Sequence, residues 1–247
     1  MQSIEQHNRE IRRNLESWRR KPLLREIYND FHRSIAACLP ELANRSVVEL
    51  GSGVADIRET IPGCIRTDLF ANPWIDRVEN AYALSFADNS CGAVILFDVF
   101  HHLRYPGTAL RELRRVIGPG GRVIVFDPCP SLLGLVVYGL FHHEPLALGA
   151  PIAWEAPKDW KPADIDYYAA QSNAARVFLR GEFDVGSTGL RVLKTERFCS
   201  ISYAASGGYS GPQLYPARAL PLMRGLDRFC SRVPAMFATR LLVVLEK

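Results

Sequence analysis

An acidic residue followed by two closely spaced glycines, in Glu49-Leu50-Gly51-Ser52-Gly53-Val54-Ala55-Asp56, is the strongest local sign of a ligand site. The glycines permit a tight turn and let a ligand approach the backbone. A dinucleotide needs G-x-G-x-x-G, so that its pyrophosphate rests on a helix N-terminus. Here the third glycine of that pattern falls at position 56, which is Asp. A carboxylate there repels an anion. The loop suits instead a cofactor with an amino-acid tail and no phosphate. Glu49 can meet an ammonium. Asp68 can accept both hydroxyls of a ribose, and the side-chain carbonyl of Asn80 can accept from an exocyclic adenine amine.

Two histidine doublets supply groups that titrate near neutrality, His101-His102 after Asp98-Val99-Phe100, and His142-His143 before Glu144-Pro145. Each of the four rings is a candidate general base, and a packed ring that holds its loop is the alternative. Adjacent histidines project in different directions and no H-x-x-x-H spacing occurs, so no metal is expected. Trp154, Trp160, Tyr167, Tyr168, Tyr203, Tyr209 and Tyr215 offer aromatic walls of the kind small-molecule pockets use.

These residues sit between short apolar runs: 46–50, 64–68, 93–97 and 122–126. None alternates cleanly, as expected for strands of a parallel sheet covered on both faces. Thr108 to Gly118 carries a helical apolar stripe and stops at Gly118-Pro119-Gly120-Gly121, read as a tight turn. Strand–helix–strand units of this size specify a doubly wound α/β sheet. Upstream, 3–20 and the stretch from Pro22 form two amphipathic helices. Downstream, helices are expected over 131–141, 165–180 and 217–231. Strands are expected at 191–198 and at Thr239–Lys247, an antiparallel pair completing the sheet edge. Only 12 residues separate Asp68 from Asn80, too few for a full crossover helix, so the third strand must be short.

The ordered motifs resemble those of class I S-adenosylmethionine-dependent methyltransferases, most closely the type-11 small-molecule branch. Glu49, Gly51 and Gly53 match its acidic-G-x-G-x-G motif, with Ala55 for the last glycine. NAYALSFADNSCGAVILFDVFHHL and LRELRRVIGPGGRVIVFDP match its later motifs, and Asn80 stands where the family has Asp. The resemblance covers residues 45–128. It implies a Rossmann-like methyltransferase fold, a mostly parallel seven-stranded doubly wound sheet with N-terminal helices and a helical lid, and S-adenosyl-L-methionine as cofactor. It implies Glu49, Gly51, Ser52, Gly53, Asp68, Leu69, Asn80, Ala81, Tyr82 and Asp98 as cofactor contacts, with His102 close to the acceptor.

In this layout 1–44 caps the cofactor site, and 45–247 is the methyltransferase domain with lid or acceptor insertions at about 131–180 and 204–233. The acceptor is expected to be a small organic molecule, an oxygen nucleophile of a secondary metabolite or sugar-like compound. C- or N-methylation, a non-catalytic cofactor-binding partner and, third, an oxidoreductase are the rivals. The 247 residues are 48% hydrophobic and 23% charged with a net charge of +4, which excludes a disordered chain or coiled-coil rod. The mild charge and the absence of N/D-P-P-Y after the fourth strand argue against nucleic acid. Six scattered cysteines without a C-x-x-C pair suit a reducing compartment, and the longest apolar run, Leu132–Phe141, is too short to span a bilayer. A cytoplasmic monomer or homodimer is the expectation.

Overall fold

The computed structural model describes residues 4–41, 45–140 and 144–247. Seven strands form one sheet: β1 (Ser46–Leu50), β2 (Ile65–Asp68), β3 (Arg77–Val78), β4 (Cys91–Phe97), β5 (Ile117–Pro128), β6 (Arg191–Phe198) and β7 (Arg240–Glu246). Their order is β3-β2-β1-β4-β5-β7-β6. The first five are parallel, while β7 runs antiparallel between β5 and β6. The doubly wound sheet read from the sequence is thus the observed one, closed by the expected antiparallel pair.

The absence of alternation in the apolar runs has a direct structural cause. Val94 and Leu96 of β4 join Val48, Val123 and Val243 on one face of the sheet. Ile95 and Phe97 join Ile124, Phe126 and Leu242 on the other. Successive side chains of a strand point to opposite faces, and here both faces are dry. Leu110 and Leu113 of α3 (Pro106–Val116) cover the first face. The second lies under α2 (Pro22–Ala36), whose Leu23, Leu24, Ile27, Phe31 and Ile35 form its buried stripe. A further helix, α1 (Ile4–Arg20), precedes α2.

Three sequence expectations are corrected. The glycines at 118–121 lie within β5, because Ile117 already pairs with Cys91 and a register shift absorbs the extra residues. The helix placed at 165–180 shrinks to α5 (Asn173–Phe178). The amides of Ala170, Gln171 and Ser172 donate instead to the carbonyls of His101, Pro145 and Leu146, which removes them from any helical ladder. The helix at 217–231 becomes a 3₁₀ turn over 217–219 followed by α7 (Leu220–Cys230). The other helices are α4 (Leu132–Leu140), α6 (Ile201–Ala205) and α8 (Pro234–Phe237). As the spacing demanded, β3 has two residues. All six cysteines are buried and free. Among the described residues no helix is long and apolar enough to cross a membrane.

Candidate active site

The parallel strands deliver Glu49, Asp68, Asp98 and Asp127 to one edge of the sheet, and the antiparallel β7 brings its first residue, Arg240, to the same edge opposite Pro128. A cavity of about 300 Å³ opens there. Its walls include the loop residues Glu49, Gly51, Ser52 and Gly53, then Asp98, His101 and His102, then Tyr28 of α2 and Tyr138 of α4. Of the residues the sequence singles out, the structure brings together here Glu49, Gly51, Ser52, Gly53, Asp98, His101 and His102, with Tyr203 and Tyr209 also on the wall. Asp68, Leu69, Asn80, Ala81 and Tyr82 do not line this cavity. Asp68 closes β2 and is buried, its Oδ1 accepting from the Leu69 amide at 2.7 Å. Asn80 accepts from the Tyr82 amide at 3.0 Å and donates to the Pro162 carbonyl at 2.9 Å. Trp160 stacks edge-on against Tyr82, so the 160–162 segment lies over this turn. His142 and His143 fall outside the described residues.

The glycine turn is held from below by Arg66, a residue that sequence reasoning passed over. Its guanidinium is buried and donates to the carbonyls of Gly53 and Ala55, each at 3.0 Å. Ser52 and Thr67 tie the turn to β2, with the Thr67 hydroxyl donating to the Glu49 carbonyl at 2.8 Å. Gly51 and Gly53 have φ of +65° and +54°. A Cβ on Gly51 would lie 2.5 Å from a Val99 methyl, whereas one on Gly53 would meet nothing within 4 Å. Gly53→Ala is therefore expected to cost about 1 kcal/mol, the strain of a left-handed residue. Gly51→Ala adds an overpacking penalty of about 1–3 kcal/mol. Urea denaturation of the two variants measures the difference, and equal losses refute the close contact.

Glu49 is 2% exposed, and its Oε2 has no hydrogen-bond partner among the described residues. The nearest cation, Arg66 Nε, stands 3.9 Å away. Burial pushes the carboxyl up to about 8, against smaller opposing effects of Ser52 and Arg66. Across the cavity, Asp98 (φ +54°) forms an ion pair with Arg240, whose guanidinium lies 4.8 Å from the Tyr203 ring centroid and 5.4 Å from that of Phe31. Sequence reading placed Arg240 in the terminal strand and gave it no role.

The His101-His102 doublet sits in a 3₁₀ turn over Phe100–His102. That turn overrides the expectation that the rings diverge: their centroids are 4.1 Å apart and both Nε2 atoms converge on Glu144, at 3.3 and 3.5 Å. His101 Nδ1 also meets Asp127 Oδ1 at 3.1 Å. Burial opposes protonation of this ring, but Asp127 and Glu144 outweigh it and raise its pKa to about 10. His101 is an imidazolium between two carboxylates. His102 Nδ1 lies 2.9 Å from the Tyr168 carbonyl, which can only accept, so the proton of the neutral ring is on Nδ1 and Nε2 is an acceptor. Burial and the neighbouring His101 charge lower His102 to about 4. His101, His102 and Glu144 have the ligand types of a metal site. The carboxylate of Glu144, however, already receives the Tyr167 hydroxyl and the Gln171 amide besides His101.

Residues 56–125 match the family model of a methyltransferase domain. Over 47 residues, 19% of this chain, the sequence is 49% identical to the uncharacterized protein YafE of Escherichia coli K12, and that stretch covers only 23% of the relative's length. Among solved structures, a SAM dependent methyltransferase from Archaeoglobus fulgidus is similar with a TM-score of 0.52 at 14% identity, over 90% of this chain and 94% of that one. Geranyl diphosphate C-methyltransferase from Streptomyces coelicolor A3(2) gives 0.50 at 12% identity, over 90% and 81%. The matched segment is similar to a methyltransferase domain, and the fold is shared with solved methyltransferases. The solved structures of this fold include a SAM dependent enzyme, which makes S-adenosylmethionine the cofactor to test against this cavity. The residues present fit that cofactor, because the buried Glu49 Oε2 on the cavity wall, without a hydrogen-bond partner among the described residues, is placed for a cationic ammonium, and nothing stands within 4 Å of where a Cβ on Gly53 would be.

Proposed function

We propose that this protein transfers the methyl group of S-adenosylmethionine to a hydroxyl of a small organic acceptor bound beside His102. The observation that carries the reading is the single cavity joining the glycine turn and Glu49 to the His101–His102–Glu144 cluster. When bound, the cofactor supplies an electrophilic methyl on a sulfonium. The chain supplies alignment and a proton acceptor. Glu49 and the backbone of 51–53 hold the amino-acid tail, with Asp68 and Leu69 at the ribose and Asn80, Ala81 and Tyr82 at the adenine. His102 Nε2 takes the acceptor's proton, and the charge that develops on the ring is balanced by Glu144 at 3.5 Å. His101, already charged and pinned by Asp127, holds Glu144 in place.

Incubating the protein with methyl-labelled cofactor and metabolite extracts tests the reading by mass spectrometry. It expects a product heavier by one CH₂ and carrying the label on oxygen. A label on nitrogen or carbon moves the chemistry to the rival acceptors, and cofactor binding without transfer to any acceptor leaves a binding partner.

Glu49 also sets a pH dependence. With its carboxyl raised to about 8 in the cofactor-free protein, Glu49 is mostly protonated at neutral pH and must ionise to meet an ammonium. Affinity for S-adenosylmethionine is expected to rise with pH toward 8, by at most about tenfold per pH unit, as a proton is released on binding. Calorimetry in buffers of different ionisation enthalpy reads that proton. Glu49→Gln removes it, and an unmodified protein that releases none contradicts the assignment.

A further inference from the structure

α4 reads Leu-Leu-Gly-Leu-Val-Val-Tyr-Gly-Leu, without a polar face. A short helix of that composition is expected to be buried. Instead Leu132, Val136 and Leu140, spaced to share one face, are exposed, Leu140 by 74%. α7 repeats the pattern, with Leu222 exposed by 75%, Phe229 by 67%, and Leu226 between them. α7 leads after three residues, the last of them the exposed Val233, into α8, where Met236 is exposed, and α8 lies against α4, with the Ser131 hydroxyl donating to the Met236 carbonyl at 3.1 Å. Single exposed apolar residues are ordinary, but eight on or beside three surface helices mark an interaction site.

The exposed charges from Arg218 to Arg232 have one sign. Arg218, Arg228 and Arg232 are exposed, and the Arg232 guanidinium lies 5.9 Å from the Phe229 ring centroid. From Cys199 to Leu245 the sequence holds one acidic residue, Asp227, and it is turned inward onto Ser202. α4 has no charged residue. We infer that α4, α7 and α8 form a docking face for an anionic lipid surface, with the leucines and Phe229 entering the interface and the arginines meeting headgroup phosphates. A second copy of the chain suits this face poorly, because a two-fold contact would set the arginines of one patch against those of the other. The face also adjoins the cavity, since Tyr138, on the inner side of α4, lines it.

Sedimentation of the full chain with vesicles tests the inference. Binding is expected to phosphatidylcholine vesicles containing phosphatidylglycerol, to weaken with salt, and to be much weaker on phosphatidylcholine alone. Arg228→Gln with Arg232→Gln should weaken binding roughly twenty-five-fold, at about fivefold for each arginine. Leu222→Gln with Phe229→Gln should also release the protein, while S-adenosylmethionine affinity, which reports an intact fold, stays unchanged in both pairs. Failure to bind anionic vesicles at low salt overturns the inference, and so does binding that neither pair reduces. A dimer in light scattering that the Leu222/Phe229 pair dissolves assigns the face to a second copy instead.

Discussion

Replacing His102 with alanine is expected to lower kcat by roughly a hundred- to ten-thousandfold, the usual contribution of a positioned base, while S-adenosylmethionine binds as before. The expectation rests on tautomer and geometry. Nδ1 is committed to the Tyr168 carbonyl, so the acceptor nitrogen is Nε2, on the cavity side and 3.5 Å from Glu144. Glu144→Gln should produce a smaller fall, because it removes the counter-charge and leaves the base. Because burial and His101 hold His102 near 4, the ring stays neutral well below pH 6, and its acid limb should lie below that of an ordinary histidine. Full turnover in His102→Ala returns the ring to packing. It would also be the signature of a free amine acceptor, which needs no base.

Asp127→Asn should cost about 3 kcal/mol of stability, the lower end for breaking a buried ion pair by removing one partner. Asp127 is fully buried and His101 is 3% exposed, so water cannot compensate. The pair also gives stability a falling pH dependence. The folded pKa of His101, about 10, lies above the ordinary value of 6.5. Its contribution is complete below pH 6.5 and is lost as pH rises through about 10. Thermal melts from pH 6 to 10 should show this decline in the unmodified protein and a shallower one in Asp127→Asn, where Glu144 alone faces the ring. Identical profiles would mean that His101 is not charged in the folded chain.

Sequence reading reached the order of elements and the glycine turn because both depend on local chemistry. The apolar runs of β1, β4 and β5 declare a two-sided sheet, and Glu49, Gly51 and Gly53 are contiguous. What escaped it depends on distant partners. Arg66 and Arg240 look like surface cations until the fold buries them under the turn and beneath a ring of aromatics. Glu144 was visible as the neighbour of a histidine pair. Its convergence with His101 and His102 follows from the 3₁₀ turn and from the tertiary hydrogen bonds of 170–172. Those same bonds erased the helix that the composition of 165–180 suggested.

The position of β7 has a consequence for biosynthesis. Residues 240–246 slot between two strands that are already made, and Arg240 neutralises Asp98 across 142 residues of chain. Pairings so remote in sequence form late. A ribosome-bound chain that has not yet released residue 246 has an unfilled gap in its sheet and an unmatched carboxylate at the catalytic edge. The nascent polypeptide is therefore expected to stay inactive until residues 240–246 have emerged, and to acquire competence when that strand inserts.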